Sequence, residues 1–271
     1  MKKIILFLTI LGVLLTPISV QAAELNDYKE EIEAVEKQED SLNKTLKINI
    51  KDLSILTINT VDFSDKKITC IGDSITYGNG GSNDEYGNKI SYCNFLSEEL
   101  NCEVVNLGIG GSAIGDYWDD TSLILRWQEI PSDSDIIIVF AGINDFFIGP
   151  EKYGSIDEEK TFCSDSYYLL NNIKNNYPSA DIFVVTTYKN GAENWEQFKD
   201  YDMNQYMNTL KDYSKELGLN IIDLYDSGFL NSRITEIKQQ YVPDDVHPND
   251  DGNKLLAERL AAELVLYYGG V

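Results

Sequence analysis

The sequence predicts an α/β protein built around a parallel sheet that helices cover on both faces. From residue 66 onward, short apolar segments alternate with helical segments, which is the pattern of a parallel α/β sheet. The segment 135–140 is almost uniformly apolar, as a strand buried on both faces should be. Polar clusters follow several strands, and sheets of this kind place their sites beyond the carboxyl ends of the strands.

The first half of this region contains three predicted strands. The run 68–71 is short and apolar and ends at Gly72. A helical segment at 90–100 leads to a second strand at 103–107, and the third strand is the apolar run 135–140.

The second half continues the alternation. A helix at 160–177 is stopped by Pro178, because proline cannot continue a helix. A fourth strand follows at 181–185. The remaining elements are a helix at 201–217, a strand at 220–223 and an amphipathic helix at 250–268, whose first turn the Asn249–Gly252 run caps.

The N-terminal residues predict export. Met-Lys-Lys precedes the apolar run 4–20, which ends in small residues at 22–23, so residues 1–23 resemble a cleaved signal peptide of bacterial type. The alternative is an uncleaved membrane anchor, but the apolar run is short for a spanning helix and contains Pro17. We expect a secreted or cell-surface protein whose mature chain has no stable membrane insertion.

A small extension is predicted between the signal peptide and the main domain, 66–271. Residues 24–65 form a charged spacer followed by a short strand segment at 46–61, where apolar and polar residues alternate. The spacer itself has too few apolar residues to build a core.

Charge and histidine count exclude whole classes of function. Lys and Arg total 22 against 45 Asp and Glu, a formal net charge of -23, which cleavage after Lys2 and Lys3 would take to -25. Nucleic acid would be repelled, because its binding depends on cations that neutralise phosphates, and an anionic membrane surface is disfavoured for the same reason. A single histidine also excludes metal centres made of two or three imidazoles.

Four cysteines, Cys70, Cys93, Cys102 and Cys163, leave the redox chemistry open. Export permits disulfides, and four cysteines allow three complete pairings. No pair has the spacing of a metal site, and no cysteine has a motif that supports a nucleophile.

Polar residues follow three of the strands and precede the last helix. They are Gly72–Gly78, Asn106–Ser112, Ala141–Asp145 and Asp244–Asn249. Since the carboxyl ends of parallel strands share one edge, these four clusters can converge on one pocket.

The clusters contain the parts of a serine nucleophile. A serine hydroxyl is weak until a base removes its proton, and His247 is the one imidazole available to Ser74. The base needs a carboxylate that fixes its tautomer. Asp244, three residues earlier, can supply it, and Asp245 is the rival.

Acyl transfer also needs donors for the developing oxyanion. Suitable donors are the backbone N–H groups of Ser74 and Gly111 and the side-chain amide of Asn144. Taken singly, Ser74 or the Asn144–Asp145 pair could cap a helix and the glycines near Gly111 could form a turn, but the four clusters together favour a catalytic site.

Gly72-Asp73-Ser74, Gly111, Gly142-x-Asn144 and Asp244-x-x-His247 resemble the four motif blocks of the SGNH (GDSL-type) hydrolases, in the same order. The resemblance runs from about residue 66 to the C-terminus. It implies a flavodoxin-like three-layer α/β/α fold with a five-stranded, mostly parallel sheet, an acyl-serine intermediate, and neither metal nor cofactor. It also implies a triad of Ser74, Asp244 and His247 with an oxyanion hole at Ser74, Gly111 and Asn144.

The leading hypothesis is an exported serine esterase that hydrolyses small acyl esters, such as O-acetyl groups of carbohydrates. Four aromatic residues beside the motifs could stack on sugar rings or simply pack: Tyr117, Trp118, Phe146 and Phe147. The alternatives are lysophospholipase, lipase-type or thioesterase activity on longer acyl chains, and a non-catalytic glycan-binding module.

Overall fold

A computed structural model describes residues 61–117 and 120–269. The predicted signal peptide, the charged spacer up to residue 45 and nearly all of the strand segment 46–61 lie outside the described residues. Within the described part, no helix is both long and apolar enough to cross a bilayer.

A five-stranded sheet forms the centre of the fold. Its strands are β1 (Lys67–Gly72), β2 (Glu103–Gly108), β3 (Ile136–Phe140), β4 (Asp181–Val185) and β5 (Asn220–Ile222). The order across the sheet is β2-β1-β3-β4-β5, and every neighbouring pair is parallel. The predicted α/β class and the flavodoxin-like order are confirmed.

Eight α-helices are described. They are α1 (Ser74–Tyr77), α2 (Tyr92–Leu100), α3 (Leu123–Arg126), α4 (Ile143–Ile148), α5 (Phe162–Asn176), α6 (Met203–Leu217), α7 (Thr235–Tyr241) and α8 (Asp250–Gly269). The four helices predicted from the sequence correspond to α2, α5, α6 and α8, which are the four longest. Short 3-10 helices lie at Trp127–Glu129, Pro150–Lys152 and Gly191–Asn194.

Helices cover both faces of the sheet and complete the three layers. On one face α5 packs against α6, and on the other α2 packs against α8. All five residues of β3 are buried, as predicted for a strand between two helical layers. Along the strands, alternate side chains face opposite helical layers: Val139 belongs to the core under α5 and α6, whereas the ring of Phe140 packs against Tyr92 of α2.

The carboxyl ends of β1, β2 and β3 are level with one another. Gly72 at the end of β1 pairs in register with Gly108 of β2 and with Phe140 of β3. The segments that follow these residues therefore leave the sheet at one edge. Because the chain runs from β1 to β2 on one side and to β3 on the other, a crevice opens there, where ligands bind in open α/β sheets.

Candidate active site

Ser74 is the first residue of α1, two residues beyond the end of β1. Asp73 caps this short helix, since its Oδ1 accepts a hydrogen bond of 2.9 Å from the Ile75 N–H. The helix ends after one turn at Gly78, which has a φ of +103°, a conformation that favours glycine. A one-turn helix between a cap and a glycine thus fixes the Ser74 hydroxyl at the edge of the sheet.

His247 connects Ser74 to Asp244. The His247 Nε2 lies 2.9 Å from Ser74 Oγ, and His247 Nδ1 lies 2.7 Å from Asp244 Oδ2. The other oxygen of Asp244 accepts the backbone N–H of Val246 at 3.0 Å and of His247 at 2.6 Å. The loop therefore wraps around the Asp244 carboxylate and presents one of its oxygens to the imidazole.

The charge of Asp244 is stabilised by the same contacts. Burial raises the pKa of Asp244, but the hydrogen bonds from the His247 ring and from the backbone of His247 and Val246 outweigh it, and the pKa falls to about 2. Asp244 is thus ionised at neutral pH, as a carboxylate that orients an imidazole and stabilises its charged form must be.

Asp245, the alternative to Asp244 as the partner of His247, makes its side-chain contacts with other residues. Its Oδ2 accepts from Lys238 Nζ at 2.8 Å and from Trp195 Nε1 at 3.3 Å. Tyr188, fully buried beyond β4, donates its hydroxyl to the backbone carbonyl of Val246. The loop that carries His247 is therefore held from the side of β4 as well as by Asp244.

The two other predicted oxyanion donors, in the segments after β2 and β3, line the same pocket as Ser74. Gly111 has a φ of +80°, which explains the glycine at this position. Asn144 lies in the first turn of α4, and its Nδ2 donates to the carbonyl of Ser112 at 2.9 Å. A primary amide carries two N–H groups, so the Ser112 contact orients Asn144 and leaves a second donor.

Asp145 fixes the loop that contains Gly111. It is fully buried and accepts the backbone N–H groups of Ile114 at 2.9 Å and Gly115 at 3.1 Å. Burial raises the pKa of Asp145 to about 6, although the N–H donors of Ile114 and Gly115 oppose the rise. The sequence suggested only that the Asn144–Asp145 pair could cap a helix, and the Gly-x-Asn-Asp run alone does not reveal this role of Asp145.

Arg126 is a second positioning residue that sequence reasoning missed. Its guanidinium, 4% exposed, donates to the carbonyls of Gly72 at 2.7 Å and Leu107 at 2.6 Å, which join the ends of β1 and β2. It also donates to the Thr121 carbonyl at 2.6 Å and the Ser112 hydroxyl at 3.3 Å. One side chain therefore connects both strand ends to the loop of the oxyanion donors.

These groups surround a pocket of about 320 Å³. All five predicted site residues line it: Ser74, Gly111, Asn144, Asp244 and His247. Four further residues complete the lining: Asn79, Phe147, Trp195 and Val246. Of the four aromatic residues suggested by the sequence, Phe147 lies on the pocket, whereas Phe146 is fully buried in the core. Trp118 lies outside the described residues.

The cysteines lie away from this pocket. All four are buried and unpaired, and burial raises the pKa of the Cys102 thiol to about 11. Among residues 61–117 and 120–269, no three histidine, cysteine or acidic side chains are grouped so that they could hold a metal ion.

A serine, an imidazole and a carboxylate hydrogen-bonded in series at the edge of a parallel α/β sheet are the arrangement of enzymes in which histidine activates a serine hydroxyl. A family model described as GDSL-like lipase/acylhydrolase matches residues 70–255, more than half of the chain. The chain belongs to this family and is an ester-hydrolysing enzyme.

Three solved structures illustrate the likeness in fold. A protein from Lactobacillus plantarum is 27% identical, with a TM-score of 0.65 over 75% of this chain and 97% of that one. A lipase/acylhydrolase from Enterococcus faecalis is 16% identical (TM-score 0.53; 74% and 95%). An acetyl xylan esterase from Geobacillus stearothermophilus is 22% identical (TM-score 0.53; 73% and 94%). No curated protein sequence matches the chain.

Proposed function

We propose that this protein is an exported serine esterase that removes small acyl groups, acetyl in particular, from carbohydrates. The observation that carries the proposal is the unbroken series from Asp244 Oδ2 through His247 to Ser74 Oγ, with contacts of 2.7 and 2.9 Å. Gly111 and Asn144 line the same pocket. A nucleophile, its base and donors for an oxyanion therefore meet at one point, as acyl transfer requires.

In the first half of the reaction, Ser74 Oγ attacks the ester carbonyl carbon while its proton passes to His247 Nε2. The carbonyl oxygen gains negative charge and accepts hydrogen bonds from the N–H groups of Ser74 and Gly111 and from Asn144. When the tetrahedral intermediate collapses, the bond to the alcohol oxygen breaks, and this oxygen takes the proton from His247. The alcohol leaves and the acyl group remains on Ser74.

Water completes the cycle by the reverse sequence of proton transfers. His247 removes a proton from the water, whose oxygen attacks the acyl carbon, and then returns that proton to Ser74 Oγ as the acid is released. Asp244, with its pKa lowered to about 2, stays ionised throughout and stabilises the imidazolium that forms in both halves.

The size of the pocket supports small acyl groups. Ligand pockets commonly span about 300–1,000 Å³, and this one, at about 320 Å³, is at the lower end. At 22% identity, the likeness to the acetyl xylan esterase concerns the fold alone. The proposed preference for acetyl esters therefore rests on the small volume of the pocket. A preference for lysophospholipid, long-chain esters or thioesters over acetylated sugars in a substrate panel would replace this proposal by the lipase-type alternative.

The mechanism is tested by removing its nucleophile and base. Ser74→Ala and His247→Ala should each lower kcat by at least about 10³-fold on 4-nitrophenyl acetate, because loss of a triad member removes nucleophilic catalysis. Ser64→Ala, at an exposed position outside the pocket, is the matched control and should keep full activity.

Labelling separates an enzyme from a binding module. A fluorophosphonate should modify Ser74 in the unaltered protein and fail to label Ser74→Ala. A folded protein that neither reacts with the probe nor hydrolyses any ester would favour the non-catalytic glycan-binding alternative. Activity that survives in Ser74→Ala would reject the mechanism.

A further inference from the structure

Two stacked aromatic rings line the pocket, and a third ring stacks on one of them. Phe147 and Trp195, which both line the pocket, are nearly parallel, with 5° between their planes and 6.2 Å between centroids. Phe198 stacks on Phe147 at 4.9 Å. Trp195 retains 37% exposure, so part of the indole is open to solvent at the pocket that Ser74 also lines.

Trp195 is fixed to the loop that carries the base. Its Nε1 donates to Asp245 Oδ2 at 3.3 Å, and Lys238 holds the same carboxylate oxygen at 2.8 Å. The backbone of Asp245 has a φ of +76°, and its carbonyl accepts from Ser232 Oγ at 2.7 Å. Because Asp245 precedes His247 by two residues, the indole and the imidazole are positioned by one loop.

The segment that leads to Trp195 also packs closely against the loop that carries Asp245 and His247. A Cβ on Gly191 would lie 2.0 Å from Asp245 Oδ1, so glycine is required where the two loops meet. The Gly191 N–H donates to Ser232 Oγ at 2.8 Å, and this hydroxyl in turn holds the carbonyl of Asp245. The position of Trp195 relative to His247 is therefore determined from both loops.

The direction of proton transfer assigns these rings to one half of the ester. The carbonyl oxygen must face the donors of Gly111 and Asn144, whereas the alcohol oxygen must come within reach of His247 Nε2 to receive its proton. The leaving alcohol thus lies on the His247 side of Ser74, which is the side to which Asp245 attaches Trp195.

We propose that Trp195 determines specificity for the alcohol half of the ester, by stacking on a ring-shaped alcohol such as a sugar or an aryl group, and that Asp245 positions it. The proposal rests on the proposed serine esterase function and deepens it. Aromatic rings offer large, rigid apolar contact area, and Phe147 behind the indole limits its movement.

A kinetic consequence follows from the order of the steps. The alcohol departs before the acyl-enzyme is hydrolysed, so Trp195 contributes to acylation and not to deacylation. All acetyl esters pass through the same acetyl-Ser74. A loss of alcohol binding must therefore lower kcat/KM for some acetyl esters and leave the hydrolysis rate of the acetyl-enzyme unchanged.

The experiment compares Trp195→Ala, Trp195→Phe and the unaltered enzyme on acetyl esters of ethanol, 4-nitrophenol and a methyl xyloside. With Trp195→Ala, kcat/KM for the two ring alcohols should fall about three- to tenfold, the size of an aromatic contact, while ethyl acetate changes less than twofold. Trp195→Phe should retain most of the preference. The control Tyr168→Ala, at an exposed ring on α5, should match the unaltered enzyme.

Pre-steady-state measurements complete the test. The rate of deacylation after the 4-nitrophenol burst should be equal in all variants, and the preference among 4-nitrophenyl acetate, butyrate and octanoate should not change. An equal loss on every alcohol, or a slower deacylation, would overturn the assignment. A changed acyl preference would place Trp195 on the acyl side instead. If the unaltered enzyme hydrolyses none of these esters, the serine esterase proposal itself fails.

Discussion

Asp73, the residue before Ser74, has a buried carboxyl group and is only 1% exposed. Burial raises its pKa to about 7, while the hydrogen bond from the Ile75 N–H and the charge of His247 oppose the rise. The cap that holds Ser74 in place is therefore made by a residue that would be more stable uncharged.

This environment predicts how stability depends on pH. Between pH 4 and 7 folded Asp73 keeps a proton that the unfolded chain has lost, so the free energy of unfolding should fall as pH rises through this range. The Asn substitution keeps an oxygen for the Ile75 N–H but cannot ionise. Relative to the unaltered protein, Asp73→Asn should gain about 2.5 kcal/mol in unfolding free energy between pH 5 and pH 8.

Urea unfolding at the two pH values measures this difference. Glu98→Gln, at an exposed position of α2, is the control and should show no such gain. Asp145, whose pKa burial raises to about 6, contributes a slope of the same sign in both proteins, which cancels apart from its charge interaction with Asp73. Parallel pH profiles for Asp73→Asn and the unaltered protein would contradict the assignment.

At the residue scale, the sequence predicted the side chains that belong to motifs. Ser74 and Asp244 could be predicted because His247 is the chain's one imidazole and each lies in a polar cluster beside a predicted strand. Arg126 and Trp195 were not found, since their contacts are with backbone carbonyls and with Asp245, distant in sequence. Such contacts leave no local pattern.

At the element scale, helix α3 supplies hydrogen-bond donors to the carboxyl ends of β1 and β2. Arg126, its last residue, donates to the Gly72 and Leu107 carbonyls and to the Ser112 hydroxyl. Alanine would remove the guanidinium from all of these acceptors and leave the Gly72 carbonyl with the Ile109 N–H at 3.2 Å. A buried acceptor that loses its donor costs about 1–3 kcal/mol.

Arg126→Ala should therefore lower the free energy of unfolding by about 3 kcal/mol or more. Arg259→Ala, which removes the half-buried ion pair with Glu263 on α8 and the contact of the guanidinium with the Phe229 ring, should lower it by less, about 1–1.5 kcal/mol. Urea denaturation monitored by circular dichroism measures both. Arg126→Lys, with fewer donors, should lie between the two, and it stands in for alanine if that variant does not fold. Equal losses for Arg126→Ala and Arg259→Ala would reject the role of α3.

Longer elements were predicted well and short ones were not. The starts of α2, α5 and α6 lie two residues later than the apolar pattern indicated, because Ser91, Thr161 and Asp202 act as caps outside the helices. The one- and two-turn helices α1, α3, α4 and α7 were missed. A helix of four to seven residues is too short to show a hydrophobic period.

At the scale of the whole molecule, the net charge of -23 produces self-repulsion in the compact state. Raising NaCl from 20 to 300 mM at pH 7 should screen this repulsion and stabilise the protein by about 1 kcal/mol, or roughly 2–4 °C in Tm. Thermal unfolding measures the shift.

Near the isoelectric point of about 4.3, the same addition of salt should leave Tm almost unchanged, because the net charge has vanished. A decrease of Tm with salt at pH 7 would show instead that attractive ion pairs, such as Lys238 with Asp245, dominate the electrostatics.

The order of the strands in the sheet could not be predicted from the residues alone. Alternating strands and helices predict a parallel sheet, but the position of β1 between β2 and β3 came from the resemblance to a family. That order makes the site possible, because it brings the loops after β1, β2 and β3 to one edge.

Ser74 and His247 are separated by 173 residues, and this spacing has a consequence for biosynthesis. A growing chain that has emerged as far as α6 already contains the nucleophile and the oxyanion donors but has no base. On the proposed mechanism, ester hydrolysis begins only once the segment after β5 has been synthesised and has reached the sheet. On the same mechanism, chains that end before His247 do not turn over esters.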